Sequence, residues 1–143
     1  MTSPAISIIV PCFKQAEYLP EALDSLIAQT FENWEAVVVN DGSPDHTEEI
    51  ALAYAAKDPR IKYLPLENGG VARARNRGIA IARGEYILPL DADDTIAPTY
   101  LEKAKAALDN NPALKAVYCQ AQLFGSQKGP WGVKYLSLIH ISE

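Results

Sequence analysis

Short apolar runs alternate with segments of helical periodicity along most of the chain. Residues 6–10 are mainly β-branched and apolar, which is typical of a strand buried on both faces of a parallel sheet. Residues 17–29 place apolar side chains on one stripe, which predicts a helix that packs on such a sheet. Further strands are predicted at residues 34–39, 61–64, 85–90 and 115–119, with helical patterns between most of them. The alternation predicts an α/β fold in which helices cover both faces of a mostly parallel sheet.

The helix predicted after Gly69 and Gly70 carries small residues at every fourth position. Ala74, Gly78 and Ala82 form this stripe. Because small side chains permit a close approach of the backbone, we expect this helix to lie tightly against the sheet.

Polar clusters follow three of the predicted strands, at residues 13–15, 40–43 and 91–94. In open parallel α/β sheets, ligands bind outside the carboxyl ends of the strands. We therefore expect one ligand site that brings Phe13, Asp41 and Asp93 together at this edge of the sheet.

Asp91 and Asp93 are separated by one residue. In an extended segment the side chains of such a pair point to the same side, so both carboxylates can face one ion. Paired carboxylates are a common protein contribution to a Mg²⁺ or Mn²⁺ site, where phosphate oxygens and waters supply the other ligands. The alternative is a solvated turn that caps the next helix, because aspartate is frequent in turns. The position directly after a buried strand favours the metal.

Two further segments offer polar groups to a ligand. Asp41 lies in a turn sequence, and its carboxylate suits a donor such as a nucleobase N–H, although a tight turn alone would also explain the sequence. Four arginines, at positions 73, 75, 77 and 83, concentrate positive charge near the helix that follows Gly70. The amino end of that helix offers free backbone N–H groups to an anion. For positions 77 and 83, a solvated helix face is the simpler interpretation.

The charge and the cysteine content narrow the class of protein. The chain has 143 residues, with 13 basic and 18 acidic side chains and a net charge of −5. This balance argues against nucleic-acid binding, because affinity for the phosphate backbone needs a cationic face. Cys12 and Cys119 lie far apart, which predicts reduced thiols rather than a disulfide framework. No signal peptide or membrane-spanning run is visible, so we expect a cytoplasmic protein.

Several motifs occur in an order and at a spacing that resemble family 2 glycosyltransferases. The resemblance covers roughly residues 6–119. It implies the GT-A fold and transfer of a sugar from a nucleotide diphosphate donor to a saccharide or lipid-linked acceptor, with inversion. Because membrane-peripheral acceptors are frequent in that family, the resemblance also implies the inner face of a membrane as an alternative location. The motifs that carry it are Ile6–Phe13, Leu23–Thr30, Asp41–Ser43, Gly69–Gly78, Gly84–Ile87 and Leu90–Asp94.

The resemblance also implies roles for particular residues. Pro11 and Phe13 would border the nucleoside, and Asp41 would hydrogen-bond its base. Arg75 would lie near the base or the diphosphate. Asp91 would meet the ribose or the metal, and Asp93 would bind the Mn²⁺ or Mg²⁺ ion that bridges the diphosphate.

Two departures from the family pattern bear on the nucleotide. Lys14 stands where asparagine is more frequent, and Asn40 replaces the first residue of a frequent Asp-Asp pair. The identity of the donor base is therefore left open, although uracil, in a UDP-sugar, is the family's common choice. The expected metal ligand, Asp93, is present.

The end of the chain departs further from the family. We interpret residues 1–121 as an incomplete nucleotide-sugar-binding domain and residues 122–143 as a loop and a tail that matches no family motif. The general base is expected beyond the end of the chain, as in a truncated transferase.

Two alternatives stay open at this point. A nucleotide-sugar-binding fragment without transfer chemistry would fit the same residues. A phosphohydrolase of the haloacid dehalogenase superfamily would use the D-x-D-x-T pattern of residues 91–95. That superfamily resembles the chain less well, because it places this motif on its first strand.

Overall fold

The computed structural model describes residues 3–113 and the backbone of residues 116–123 and 129–140. Strands and helices alternate through the first eight elements, as the sequence pattern predicts. The elements are β1 (Ile6–Cys12), α1 (Leu19–Ile27), β2 (Trp34–Asp41), α2 (Thr47–Lys57), β3 (Ile61–Leu66), α3 (Val71–Ile81), β4 (Tyr86–Pro89), α4 (Tyr100–Asn110), β5 (Ala116–Leu123) and β6 (Gly129–His140).

The strands form one six-stranded sheet in the order β3-β2-β1-β4-β6-β5. The first four strands in this order are parallel, with Val10 opposite Val38 and Ile8 opposite Leu88 in the register. Strand β6 runs antiparallel to both β4 and β5. The predicted α/β fold with a mostly parallel sheet is confirmed. The parallel part places the carboxyl ends of β1, β2 and β4 at one edge.

Helices cover both faces of the sheet because the central strands are apolar on both faces. On one face, Ile8 and Val38 pack with buried residues of α1, α2 and α4. On the other face, Ile9 and Val39 pack with Ala74 of α3. Strands β1 and β2 are buried along their whole length. The central strands therefore give the loops at their carboxyl ends a rigid base.

Helix α3 lies close to the sheet through its small residues. Ala74 and Gly78 are its buried positions. A Cβ atom added at Gly78 would lie 2.6 Å from Cγ2 of Ile9 and 3.0 Å from Cγ2 of Val39. These distances leave little room for a side chain, so the predicted stripe is confirmed at Ala74 and Gly78 as the contact face of the helix. Ala82 lies one residue past the end of α3 and is partly buried against the same cluster.

The prediction of a loop after residue 121 is wrong over residues 129–140. This segment forms β6 and pairs with β5 and β4. Its sequence contains β-branched and aromatic residues after residue 130, which favour a strand. Glycine and proline at residues 129–132 suggested a loop, but the segment continues the sheet as the second strand of an antiparallel pair. The domain division at residue 121 stays a prediction.

Candidate functional site

A cavity of about 520 Å³ lies at the carboxyl edge of the parallel strands. It gathers residues at the ends of β1 and β2, in the loops after β1, β3 and β4, and at the start of α3. The expectation that Phe13, Asp41 and Asp93 meet at one edge is confirmed, and the other named candidates line the same cavity. Its lining residues are Pro11, Cys12, Phe13, Gln15, Asp41, Asn68, Gly70, Val71, Arg75, Asp91 and Asp93.

The acidic segment after β4 is a turn and not the extended segment that the sequence analysis assumed. The backbone N–H of Asp94 donates to the carbonyl oxygen of Asp91 at 3.0 Å. Ala92, inside the turn, is fully buried and packs in the core. Carboxylate oxygens of Asp91, Asp93 and Asp94 lie within 4.8 Å of one another. The turn thus brings three carboxylates together, one more than the spacing predicted.

The crowding of these carboxylates has an electrostatic cost. Burial, together with the negative charges of Asp93 and Asp91, raises the pKa of Asp94 to about 6. Three oxygen ligands of this kind fit a hard divalent cation such as Mg²⁺ or Mn²⁺, and a cation would relieve the repulsion among them. The donor set therefore fits the metal that the D-x-D pattern suggested.

Arg75 reaches the acidic turn from α3. Its Nη2 atom donates to Oδ1 of Asp91 at 2.8 Å. Its Nε atom is buried and has no hydrogen-bond partner within the described part of the chain. Among the described residues that line the cavity, Arg75 is the one basic side chain, and it stands beside the carboxylates of Asp41, Asp91 and Asp93. This ion pair joins two candidates that the sequence analysis named separately.

Asp41 is nearly inaccessible and is held by the segment that precedes α3. Its Oδ1 atom accepts from the backbone N–H of Gly69 at 2.9 Å. Its Oδ2 atom accepts from the N–H of Gly70 at 3.1 Å and from the side-chain amide of Asn68 at 3.2 Å. The carboxylate thus fixes the entry into α3. Its role toward a nucleobase stays a prediction.

Gly42 allows the turn after β2 to pack against the segment before α3. Its φ angle is +68°, in the left-handed region that favours glycine. A Cβ atom there would lie 2.5 Å from the backbone nitrogen of Asn68. Sequence reasoning identified the turn and included Gln15 in a polar cluster at this edge, but it missed Asn68 and Val71 as cavity residues. The Asn-Gly-Gly sequence before a helix was the one signal that could have indicated Asn68.

Phe13 and Cys12 differ sharply in exposure although they are adjacent. The Phe13 side chain is 38% exposed, and Nζ of Lys14 lies 5.3 Å from the centroid of its ring. Cys12 is buried, with Sγ 3.4 Å from Oγ1 of Thr47. Burial raises the pKa of the Cys12 thiol. The cysteine therefore has the packing environment of a structural residue, whereas the Phe13 ring is open to a ligand.

Comparison with known proteins identifies the family. Residues 7–138 match the family described as Glycosyl transferase family 2. This match covers most of the chain, and the chain belongs to glycosyltransferase family 2. The resemblance found in the sequence motifs is confirmed.

Curated relatives are considerably longer than this chain. An uncharacterized glycosyltransferase of Rickettsia prowazekii is 45% identical over 124 residues, which cover 85% of this chain and 37% of that protein. The uncharacterized glycosyltransferase EpsJ of Bacillus subtilis is 41% identical over 108 residues, or 76% of this chain and 31% of that protein. The chain thus spans about a third of the length of these relatives.

Solved structures share the fold at similar coverage. Staphylococcus aureus TarS 1-349 in complex with UDP-GlcNAc is 35% identical, with a TM-score of 0.73, over 78% of this chain and 33% of that one. The mannosyltransferase PcManGT of Pyrobaculum calidifontis, in complex with GDP-Man and Mn²⁺, is 30% identical, with a TM-score of 0.72, over 83% and 36% of the two chains. These likenesses agree with the GT-A fold that the motifs imply.

Membrane association was raised by the family resemblance. Within the described residues, every helix is too short or too polar to cross a bilayer.

Proposed function

We propose that this chain binds the nucleoside diphosphate of a nucleotide-sugar donor in its cavity, for metal-assisted transfer of the sugar with inversion. The acceptor is a saccharide or a lipid-linked saccharide. One observation carries the proposal: the cavity of a family 2 glycosyltransferase gathers Phe13, Asp41, Arg75 and the acidic turn at one sheet edge. Structural neighbours in complex with UDP-GlcNAc and with GDP-Man and Mn²⁺ support the class of ligand.

The nucleoside is assigned to the side of the cavity formed by Pro11, Phe13 and Asp41. The exposed Phe13 ring supplies an apolar surface of the kind on which a flat base packs. Asp41 lies beside this surface and is the candidate acceptor for a base N–H. Both carboxylate oxygens of Asp41 already accept hydrogen bonds from the protein. A base N–H would therefore bind to an oxygen that also accepts a hydrogen bond from the protein.

The diphosphate is assigned to the side of the cavity formed by Arg75 and the acidic turn. Asp93 and Asp91 would hold Mn²⁺ or Mg²⁺, with Asp94 as a third carboxylate within reach. When bound, such an ion would neutralise charge that develops on the departing nucleoside diphosphate. Arg75 would add a charge-assisted hydrogen bond from the protein itself.

Charge predicts that donor binding depends on the metal. Without a cation, the carboxylates of the acidic turn would face a diphosphate of the same sign, and a single arginine would offset only part of that repulsion. The proposal therefore requires both the ion and Asp93.

Calorimetric titration of UDP and GDP, with Mn²⁺ or with EDTA, tests this function. The protein should bind at least one of the two nucleotides with Mn²⁺, and Asp93→Asn should weaken that binding by about tenfold or more. Glu49→Gln is the matched control, since its carboxylate is 79% exposed on α2 and lies outside the cavity lining. No binding of either nucleotide, or equal affinity with EDTA, would overturn the proposal.

A further inference from the structure

Two loops on the rim of the cavity are joined by one carboxylate, that of Asp45. Its Oδ2 atom accepts from the backbone N–H of Ala16, in the loop after β1, at 3.1 Å. Its Oδ1 atom accepts from Oγ of Ser43, in the loop after β2, at 2.5 Å. The two loops belong to neighbouring strands, so this link crosses from one strand end to the next.

A second contact reinforces the link. The backbone N–H of Lys14 donates to Oγ of Ser43 at 2.8 Å. Lys14 has a φ angle of +57°, the left-handed conformation that side chains other than glycine seldom adopt. A residue in this conformation needs its surroundings to hold it there. Ser43 supplies such a contact from the neighbouring loop, and Asp45 in turn accepts the hydrogen bond of the Ser43 hydroxyl.

The same carboxylate also stabilises the start of α2. Oδ1 of Asp45 accepts from the backbone N–H of Thr47 at 3.2 Å and from its Oγ1 at 2.6 Å. The helix cap therefore uses Oδ1, while the link to Ala16 uses Oδ2. Because the two tasks fall on different oxygens, substitutions can separate them.

The linked loop carries part of the cavity wall. Phe13 and Gln15 line the cavity, and Ala16 next to them is buried. The carbonyl oxygen of Gln15 accepts from the N–H of Tyr18, just before α1. We propose that Asp45 is a positioning residue that holds this wall, and with it the Phe13 ring, in place for the nucleoside. This inference rests on the proposed nucleotide-binding function.

Two variants separate wall positioning from helix capping. Asp45→Asn keeps a carbonyl acceptor for Ser43 and Thr47 but puts an amide NH₂, which cannot accept, opposite the N–H of Ala16. Thr47→Val removes the hydroxyl donor to Oδ1, together with the contact of that hydroxyl with Sγ of Cys12, and leaves the carboxylate and its link to Ala16 in place. Ser43→Ala breaks the contact with Lys14 from the opposite loop and serves as a third variant if Asp45→Asn does not fold.

The experiment combines two ligands and one spectroscopic readout. Calorimetry compares UDP with inorganic pyrophosphate, both with Mn²⁺, and NMR follows the exchange rate of the Ala16 amide proton. Asp45→Asn should weaken UDP binding by about tenfold, leave pyrophosphate binding within about twofold, and speed Ala16 exchange. Ser43→Ala should shift UDP binding in the same direction. Thr47→Val should lower thermal stability without changing either affinity or Ala16 exchange.

The outcomes separate the two proposals. Equal weakening of UDP and pyrophosphate, or faster Ala16 exchange with unchanged UDP affinity, would overturn the positioning role of Asp45 and leave nucleotide binding intact. Failure of the wild-type protein to bind UDP or GDP with Mn²⁺ would overturn nucleotide binding itself, and the positioning role with it.

Discussion

Arg75 and Asp91 form an ion pair inside the cavity, with Nη2 of the guanidinium 2.8 Å from Oδ1 of the carboxylate. Their side chains are 39% and 45% exposed. A pair this accessible to water contributes less than about 1 kcal/mol to the free energy of unfolding. Its importance therefore lies in the charge of the cavity, where it offsets one of three clustered carboxylates and holds a guanidinium beside them.

Arg75→Ala should separate binding from stability. We expect the affinity for UDP with Mn²⁺ to fall by about tenfold, because a charge-assisted hydrogen bond to the diphosphate is lost. The free energy of unfolding should change by less than about 1 kcal/mol. Calorimetric titration and urea unfolding measure the two quantities on the same samples.

Arg77→Ala is the matched control for Arg75→Ala. Arg77 lies two residues further along α3, is exposed, and is not among the residues that line the cavity. Its removal should leave the UDP affinity within about twofold. A similar loss of affinity in both variants would mean that the general positive charge of α3 attracts the nucleotide and that Arg75 has no special contact.

Glu35 should be a stability residue at the edge of the sheet opposite the cavity. It is 3% exposed and accepts from Oγ of Ser7 at 2.5 Å, from the N–H of Arg83 at 2.6 Å and from Nζ of Lys62 at 2.7 Å. Glu35→Gln replaces one carboxylate oxygen with an amide NH₂, so at least one of these donors would face another donor instead of an acceptor. We expect a loss of about 1–3 kcal/mol in the free energy of unfolding, measured with urea, and an unchanged UDP affinity.

Glu32→Gln provides the comparison for Glu35→Gln. Glu32 is exposed in the loop before β2, so its substitution should change the free energy of unfolding by no more than about 0.5 kcal/mol. If Glu35→Gln were equally mild, the buried hydrogen bonds of Glu35 would contribute little to stability. If it weakened UDP binding, the two edges of the sheet would be energetically linked.

The stability that Asp45 contributes should fall as the protein is acidified from about pH 5, whereas Asp94, with its pKa raised to about 6, acts in the opposite direction. Burial alone would raise the pKa of Asp45, but hydrogen bonds from Ser43, Thr47 and Ala16 outweigh it and lower the pKa to about 2, from an ordinary 3.8. The unfolded chain therefore takes up the proton first. The stabilising contribution is complete above the unfolded pKa and is lost as the pH falls through the folded pKa.

Urea unfolding between pH 6 and about pH 1.5 measures this dependence, because the contribution is lost only as the pH falls to the folded pKa. Asp45 should contribute at most about 2 kcal/mol, and Asp45→Asn should flatten the pH dependence by a corresponding amount. Glu35 acts in the same direction: burial opposes its ionisation, but bonds from Arg83, Lys62 and Ser7 prevail and lower its pKa. An Asp45→Asn profile with the same slope as the wild type would show that Asp45 retains an ordinary pKa.

The fold and the location of the site could be predicted because both depend on local patterns. Apolar runs separated by helical stripes define parallel strands, and polar residues such as Asp41 and Asp91 follow those strands directly. Parallel pairing then places the strand ends together without any knowledge of side-chain contacts. The close packing at Gly78 could also be predicted, because a small residue in a helix permits a close approach to the sheet.

The partners within the site could not be predicted, because they come from distant parts of the chain. Asp41 is bound by Gly69 and Gly70, and Arg75 by Asp91, contacts that depend on where α3 begins relative to the sheet. The turn conformation at Asp91 could be given only as an alternative, because a D-x-D spacing is compatible with an extended segment as well as with a turn. Strand β6 was missed because its glycines and proline are typical of loops, whereas pairing with β5 and β4 depends on the whole sheet.

The 143-residue chain should bind the nucleotide donor without transferring its sugar at a useful rate. Inverting transfer needs an acceptor held in line and a carboxylate within hydrogen-bond reach of its hydroxyl. Among the described residues, the carboxylates at the cavity are already engaged. The carboxylate of Asp41 accepts hydrogen bonds from the segment before α3, and that of Asp91 is paired with Arg75. The carboxylates of Asp93 and Asp94 belong to the candidate metal cluster.

We therefore expect the general base to lie outside the described residues. Loss of a general base alone typically costs about 10²–10⁴-fold in rate, and loss of acceptor positioning adds to it. Release of UDP from UDP-GlcNAc with Mn²⁺ and a panel of saccharide acceptors measures the outcome, with UDP binding as the control for a folded site. Binding without acceptor-dependent release is expected. Robust acceptor-dependent release would place the base within these 143 residues, and Asp93 and Asp94 would then be the first carboxylates to replace with asparagine.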